Sequence, residues 1–211
     1  MDVFPDSFLF LFVLGDIMLL CCILFLFTFG LLLFGIICIF VTDCSLIFHT
    51  LTLPELLNNL GKSQIELNQF DEAVETFKKS KEINSKNYDT LFNLGVVLFE
   101  KGFYDEALDN YLDAIQINNK LDKIYYNVAI LFSKTGRSKE AITYFEKTIN
   151  LNNNHTKALN NLGSEYINES KYELALYYLN LAIKLEPNYS KAYNNLGFAF
   201  KISFKSKSNS D

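Results

Sequence analysis

The 211-residue sequence has no tryptophan, three prolines and two histidines, and its four cysteines (Cys21, Cys22, Cys38, Cys44) all precede position 45. From residue 54 onward the chain is cysteine-free, which excludes a disulfide frame or a thiolate metal site there. His49 and His155 are too few for a histidine-rich metal centre. Residues 1–53 lack Lys and Arg altogether and hold four carboxylates, Asp2, Asp6, Asp16 and Asp43. All 19 basic residues and 20 of the 24 acidic ones therefore fall in 54–211. That part is nearly neutral and has no basic cluster for a phosphate backbone, so a nucleic-acid partner is not expected.

Ile17 to Val41 is a run of 25 residues without charge, 18 of them Leu, Ile, Phe or Val. As helix it would extend roughly 37 Å, enough to cross a hydrocarbon layer of about 30 Å with some tilt. A cleaved signal peptide would want a basic start, a shorter apolar stretch and small residues before the cut. Here the start is acidic and Val41-Thr42-Asp43 is a poor cleavage site. The expectation is an uncleaved membrane anchor in 1–53, with one span at about 17–41 in contact with lipid. A hairpin turning near Thr28 and Gly30 is the alternative, at the cost of unpaired backbone groups in hydrocarbon. The nearest basic residue, Lys62, lies on the C-terminal side, so the positive-inside bias leans slightly toward a cytoplasmic domain, with the opposite topology left open.

Beyond residue 53 the sequence repeats every 34 positions. Gly61, Gly95, Ala129, Gly163 and Gly197 keep that spacing, as do Ala73, Ala107, Ala141 and Ala175. Leu60, Leu94, Val128, Leu162 and Leu196 form an apolar column, and Phe77, Tyr111, Phe145 and Leu179 a bulky one. Ser80, Ala114, Thr148 and Ala182 add a second small-residue column. Small residues let two helices approach closely where larger side chains would overpack. Gly102 and Gly136 mark turns between helices. Asp71, Asp105 and Ser138 are placed to cap the second helices.

These columns resemble the tetratricopeptide repeat (TPR) family, whose unit is a 34-residue helix–turn–helix. The family's aromatic or large position appears as Leu57, Leu91, Tyr125, Leu159 and Tyr193, and its terminal proline survives only as Pro187. The resemblance implies an all-α superhelical solenoid over 54–204, in units 54–87, 88–121, 122–155 and 156–189 plus a partial unit 190–204. A polar tail at 205–211 follows. One transmembrane helix would precede the solenoid.

Stacked TPR units present their first helices on a concave groove, so the resemblance also implies a protein or peptide partner. One column on those helices is uniform: Asn59, Asn93, Asn127, Asn161 and Asn195. Asparagine makes up 22 of the 158 residues from 54 onward, too few to fill five positions of five by composition. A primary amide can pair with both the N–H and the C=O of an extended peptide. The competing reading is that these amides satisfy local backbone groups or are copies left by duplication. By family geometry Phe92, Val96, Tyr126 and Ile130 lie mid-groove, with Glu55 and Asp89 at one end and Lys123, Lys157 and Lys191 at the other. Phe92 and Tyr126 would supply apolar contact, Lys123 and Lys157 charge. A chaperone-type carboxylate clamp is approximated by Asn58/Lys62, Asn93 and Lys123/Asn127. The first pair is in the wrong order and an arginine is missing, so that specialisation is not expected.

No catalytic residues, cofactor site or metal site are expected. The function implied is a membrane-anchored scaffold or adaptor that holds an extended segment of a partner, as an assembly factor does. The overall plan is similar to membrane-anchored TPR proteins of cyanobacteria and algal plastids that act in photosystem assembly. The alternative is a self-associating structural membrane protein, a homo-oligomer with no peptide ligand.

Overall fold

Side-chain size and backbone handedness, each recurring every 34 residues, account for the architecture. The computed structural model describes residues 53–208, which fall in the unit Leu53–Asp211. The expected span at 17–41 lies outside the described residues. Among these, no helix is long and apolar enough to cross a membrane.

The described residues form nine helices. They are α1 (53–66), α2 (Phe70–Ile83), α3 (Tyr88–Glu100), α4 (Tyr104–Ile117), α5 (Asp122–Lys134), α6 (Ser138–Leu151), α7 (Thr156–Asn168), α8 (Tyr172–Leu185) and α9 (Ser190–Ser208). Odd-numbered helices are the first, and even-numbered ones the second, of each unit. Packing runs between consecutive helices, with smaller contacts between α3 and α5 and between α7 and α9. The result is an all-α solenoid of stacked helix pairs, its buried residues forming a large cluster and a smaller one around Leu159, Ala182 and Ala192.

Within each unit the close-contact column brings its helices together. A methyl group placed at Gly61 would meet the Phe77 ring at 2.5 Å, at Gly95 the Tyr111 ring at 2.6 Å, and at Gly163 the Leu179 side chain at 2.6 Å. The bulky column thus sits over the glycine of its own unit, rather than serving chiefly as filler toward the next. Ala73, Ala107, Ala141 and Ala175 are wholly buried beside it, as are Ser80, Ala114, Thr148 and Ala182. Ser80 ties two units together: its hydroxyl donates to the Pro54 carbonyl (3.1 Å) and shares a hydrogen bond with Thr90 Oγ1 (3.0 Å).

The turn between first and second helix needs one left-handed residue. Asn68, Gly102, Gly136 and Ser170, again 34 apart, have φ of 58°, 84°, 75° and 59°. The next position in that column is Phe204, a residue that left-handed backbone disfavours. There α9 does not turn but continues to Ser208, four residues past the helix end expected from the repeat.

The capping expectation is corrected. The residues preceding α2, α4 and α6 are Gln69, Phe103 and Arg137, none of which makes a side-chain cap. Asp71, Asp105 and Ser138 lie inside the first turn, past the capping position; there Asp71 and Asp105 act through the helix dipole. The caps are on first helices instead. Asn87 Oδ1 accepts from the N–H groups of Asp89 (3.0 Å) and Thr90 (3.3 Å). His155 Nδ1 accepts from Ala158 N–H (3.1 Å), which requires that nitrogen to be unprotonated. At the unit junctions Asn84, Asn118 and Asn152 fold back on the backbone N–H two residues on, which explains part of the chain's asparagine content.

Candidate functional site

The five asparagines of the uniform column all lie on first helices, but their surroundings differ. Asn59 is exposed, Asn93 is buried with 8% of its surface accessible, and Asn127, Asn161 and Asn195 are half-buried. Asn93, Asn161 and Asn195 each reach the residue 35 positions earlier, on the preceding first helix. Where that residue is polar the amide donates to it. Asn93 Nδ2 donates to Asn58 Oδ1 at 3.0 Å, Asn161 Nδ2 to the Tyr126 hydroxyl at 3.2 Å, and Asn195 Nδ2 to Asn160 Oδ1 at 2.9 Å. Asn160 Nδ2 in turn donates to Asn161 Oδ1 at 3.1 Å. The residue at that offset from Asn127 is Phe92, which offers no acceptor. The column is therefore not a row of five equivalent amides. Three of them join neighbouring units through their N–H groups, while Asn59 and Asn127 keep both amide functions open.

The aromatic positions are seated in the stack. Phe92 lies 6.0 Å from the Tyr111 ring, and Tyr126 lies 6.0 Å from Phe145 and 4.6 Å from His155, centroid to centroid. Phe92, Val96, Tyr126 and Ile130 are all partly buried against the core. Burial raises the Tyr126 phenol above its ordinary value, although the Asn161 amide favours the ionised oxygen. The phenol thus stays neutral and can both donate and accept.

The charged positions separate into a paired centre and open ends. Lys123 Nζ lies 3.2 Å from Asp89 Oδ1 and 4.8 Å from the Phe92 centroid. It is thereby committed to its neighbours, and its ion pair, half in solvent, adds little stability. Glu55 near the start of the solenoid, and Lys157 and Lys191 toward its end, are exposed. Of the clamp-like positions, Asn58 is engaged with Asn93 and Lys123 with Asp89.

Two polar residues with structural roles are not evident from spacing alone. His155 is the cap described above and packs, tilted by 31°, against the Tyr126 ring. Glu165 is buried, with 4% of its surface accessible, in a column where Val97, Leu131 and Ala199 are also buried. Ser133 Oγ donates to its Oε1, and Asn168 Nδ2 to its Oε2 at 3.4 Å. An acid in an apolar column is the signal that marks it. Among the described residues, no three His, Cys, Asp or Glu side chains converge as metal ligands.

No curated protein sequence matches this chain. Solved structures with the same fold include MamA from Desulfovibrio magneticus RS-1, at a TM-score of 0.69 and 18% identity over 74% of this chain and 89% of that one. YrrB, described as a TPR protein with an unusual peptide-binding site, matches at 0.62 and 22% over 70% and 76%. The first TPR domain of Spaghetti (RPAP3), solved with an HSP90 peptide, matches at 0.54 and 25% over 56% and 94%. Tetratricopeptide repeat family models match residues 86–154 and, in two further copies, 54–87 and 156–189. With its columns, its helix pairs and these matches in agreement over more than half its length, the chain belongs to the tetratricopeptide repeat family.

Proposed function

We propose that this chain is a membrane-tethered binding scaffold that holds an extended segment of a partner protein along its first helices, in the manner of an assembly factor. The observation that carries the reading is Asn127. Its amide is half-buried at mid-column and has no hydrogen-bond partner among the described residues. An extended backbone passing there meets one open donor and one open acceptor. Asn59 offers the same pair two units earlier, and Asn93 and Asn195 retain open carbonyl oxygens. At about 0.5–1.5 kcal/mol net for each hydrogen bond, such contacts support modest affinity. Selectivity would come from the groove's ends, acidic at Glu55 and basic at Lys157 and Lys191, which favour a segment of the opposite polarity. The tether rests on the uncharged run Ile17–Val41. YrrB and the Spaghetti domain support the reading only as members of the same fold that bind peptides.

The test is a pull-down with the detergent-solubilised full-length chain, run beside the double variant Asn59→Ala/Asn127→Ala. Circular dichroism of the variant should match wild type, because neither amide holds the fold together. A partner recovered with wild type and lost from the folded variant is the expected result. A partner held equally by both would overturn the groove reading.

A further inference from the structure

We infer that the outer face of α9 is a docking site for an acidic amphipathic helix of another protein, seated where a fifth second helix would lie. The argument begins with a glycine. In units one, two and four the close-contact glycine is covered by a bulky side chain from the second helix, whereas at Gly197 an added methyl would meet nothing within 4 Å. Gly197 keeps the sequence of a close contact without the contact.

The residues around it have the same character. At 100° per residue Tyr193, Gly197, Phe200 and Phe204 lie in one stripe about 60° wide. The equivalents of the first three in the fourth unit, Leu159, Gly163 and Tyr166, are buried, as are Leu91, Gly95 and Leu98 in the second. On α9, by contrast, Tyr193, Phe200 and Phe204 have 49%, 55% and 79% of their surface accessible. The opposite side of the helix, through Ala192 and Ala199, is fully buried against the solenoid. The helix is therefore properly docked on one side and uncovered on the side its unit design assigns to a partner helix.

The covered units specify what fits. Each covering helix brings a small residue, a bulky one four positions later and a second small one three beyond that: Ala107, Tyr111 and Ala114 in α4, for example. Charge narrows the choice further. Residues 190–208 contain Lys191, Lys201, Lys205 and Lys207 and no carboxylate. The covering helices carry acids in their first turns: Asp71 and Glu72, Asp105 and Glu106, Glu140, and Glu173. A second copy of this chain is a poor occupant. Its four second helices are already packed in their own units, and pairing α9 with α9 would bring eight lysines together without an acid. The fitting occupant is a helix from a different protein with carboxylates flanking a small–bulky–small stripe.

A peptide spanning Tyr104–Ile117 has this pattern and four carboxylates, Asp105, Glu106, Asp109 and Asp113, without a basic residue. It serves as the probe. Fluorescein-labelled peptide is titrated with the full-length chain in lipid nanodiscs, with empty discs as control, and binding is read by anisotropy. The expected result is saturable binding that weakens as salt is raised. The chain variant Gly197→Leu should bind at least tenfold more weakly, while its own melting temperature is not lowered because the space beside Gly197 is open. A peptide carrying Ala107→Leu should bind at least tenfold more weakly to wild type. The Asn59→Ala/Asn127→Ala chain should bind the peptide as wild type does, which separates this surface from the groove. Absence of saturable binding, or equal binding by Gly197→Leu, would overturn the inference. So would a concentration-dependent dimer of wild type that Gly197→Leu abolishes, since the occupant would then be a second copy.

Discussion

Replacing Asn93 with alanine is expected to destabilise the fold by about 1–3 kcal/mol, because it strands the nearly buried Asn58 oxygen without a donor. Asn127→Ala should leave stability within about 0.5 kcal/mol of wild type, as expected where no interaction is removed. Urea unfolding of the two variants checks the contrast. Equal losses would mean that the column acts only as a structural repeat. The two residues are indistinguishable when read at a spacing of 34, which is why the column alone suggests five equivalent amides. Their difference lies in the residue 35 positions back, Asn58 in one case and Phe92 in the other. Spacing names the column, and only packed helices show that this offset is the one in contact. His155 illustrates the same limit: a lone histidine carries no periodic signal, and its capping role depends on the backbone conformation at the junction.

Among elements, the turns and the close contacts yield opposite predictions for glycine. Ser170 holds a left-handed conformation that costs an L-residue roughly 1–2 kcal/mol. Ser170→Gly is expected to raise stability by up to about 1 kcal/mol, after allowance for the greater freedom of glycine in the unfolded chain. Gly95→Ala should instead cost about 1–3 kcal/mol, since the new methyl group meets the Tyr111 ring and lies 3.2 Å from the Ala107 carbonyl. Gly197→Ala should stabilise by roughly 1 kcal/mol, the helix preference of alanine with no clash to offset it. Thermal melts of the three variants would test all three signs. The helix pairs themselves are legible in the sequence because Gly102, Gly136 and the alanine column state both the turn and the approach. The continuation of α9 past Phe204 is less so. Leu196 and Gly197 continue the pattern of a first helix, and the decisive position is Phe204, whose meaning depends on knowing that Asn68 and Ser170 are left-handed without being glycine.

At the scale of the whole solenoid, contacts run within units and between adjacent ones, so stability is a sum of units and their interfaces rather than a property of one central core. Native-state hydrogen exchange should therefore grade along the chain, with greatest protection in α3 to α8 and least in α9, which is covered on one side only. Uniform protection across α3 to α9 would contradict this picture. The proposed tether rests on composition alone, a run of uncharged residues at Ile17–Val41 to which the 34-residue period does not extend. The left-handed column has a further consequence for size. Each first helix in the stack is followed by another helix pair only because a residue at its end reverses the chain, and at 204 the side chain is a phenyl ring. Placing glycine there, and supplying 14 residues of the second-helix pattern after it, would lengthen the array by half a unit without altering anything upstream. The reach of the array thus depends on the turns and on the repeats that follow them, while the buried columns of the units upstream stay as they are.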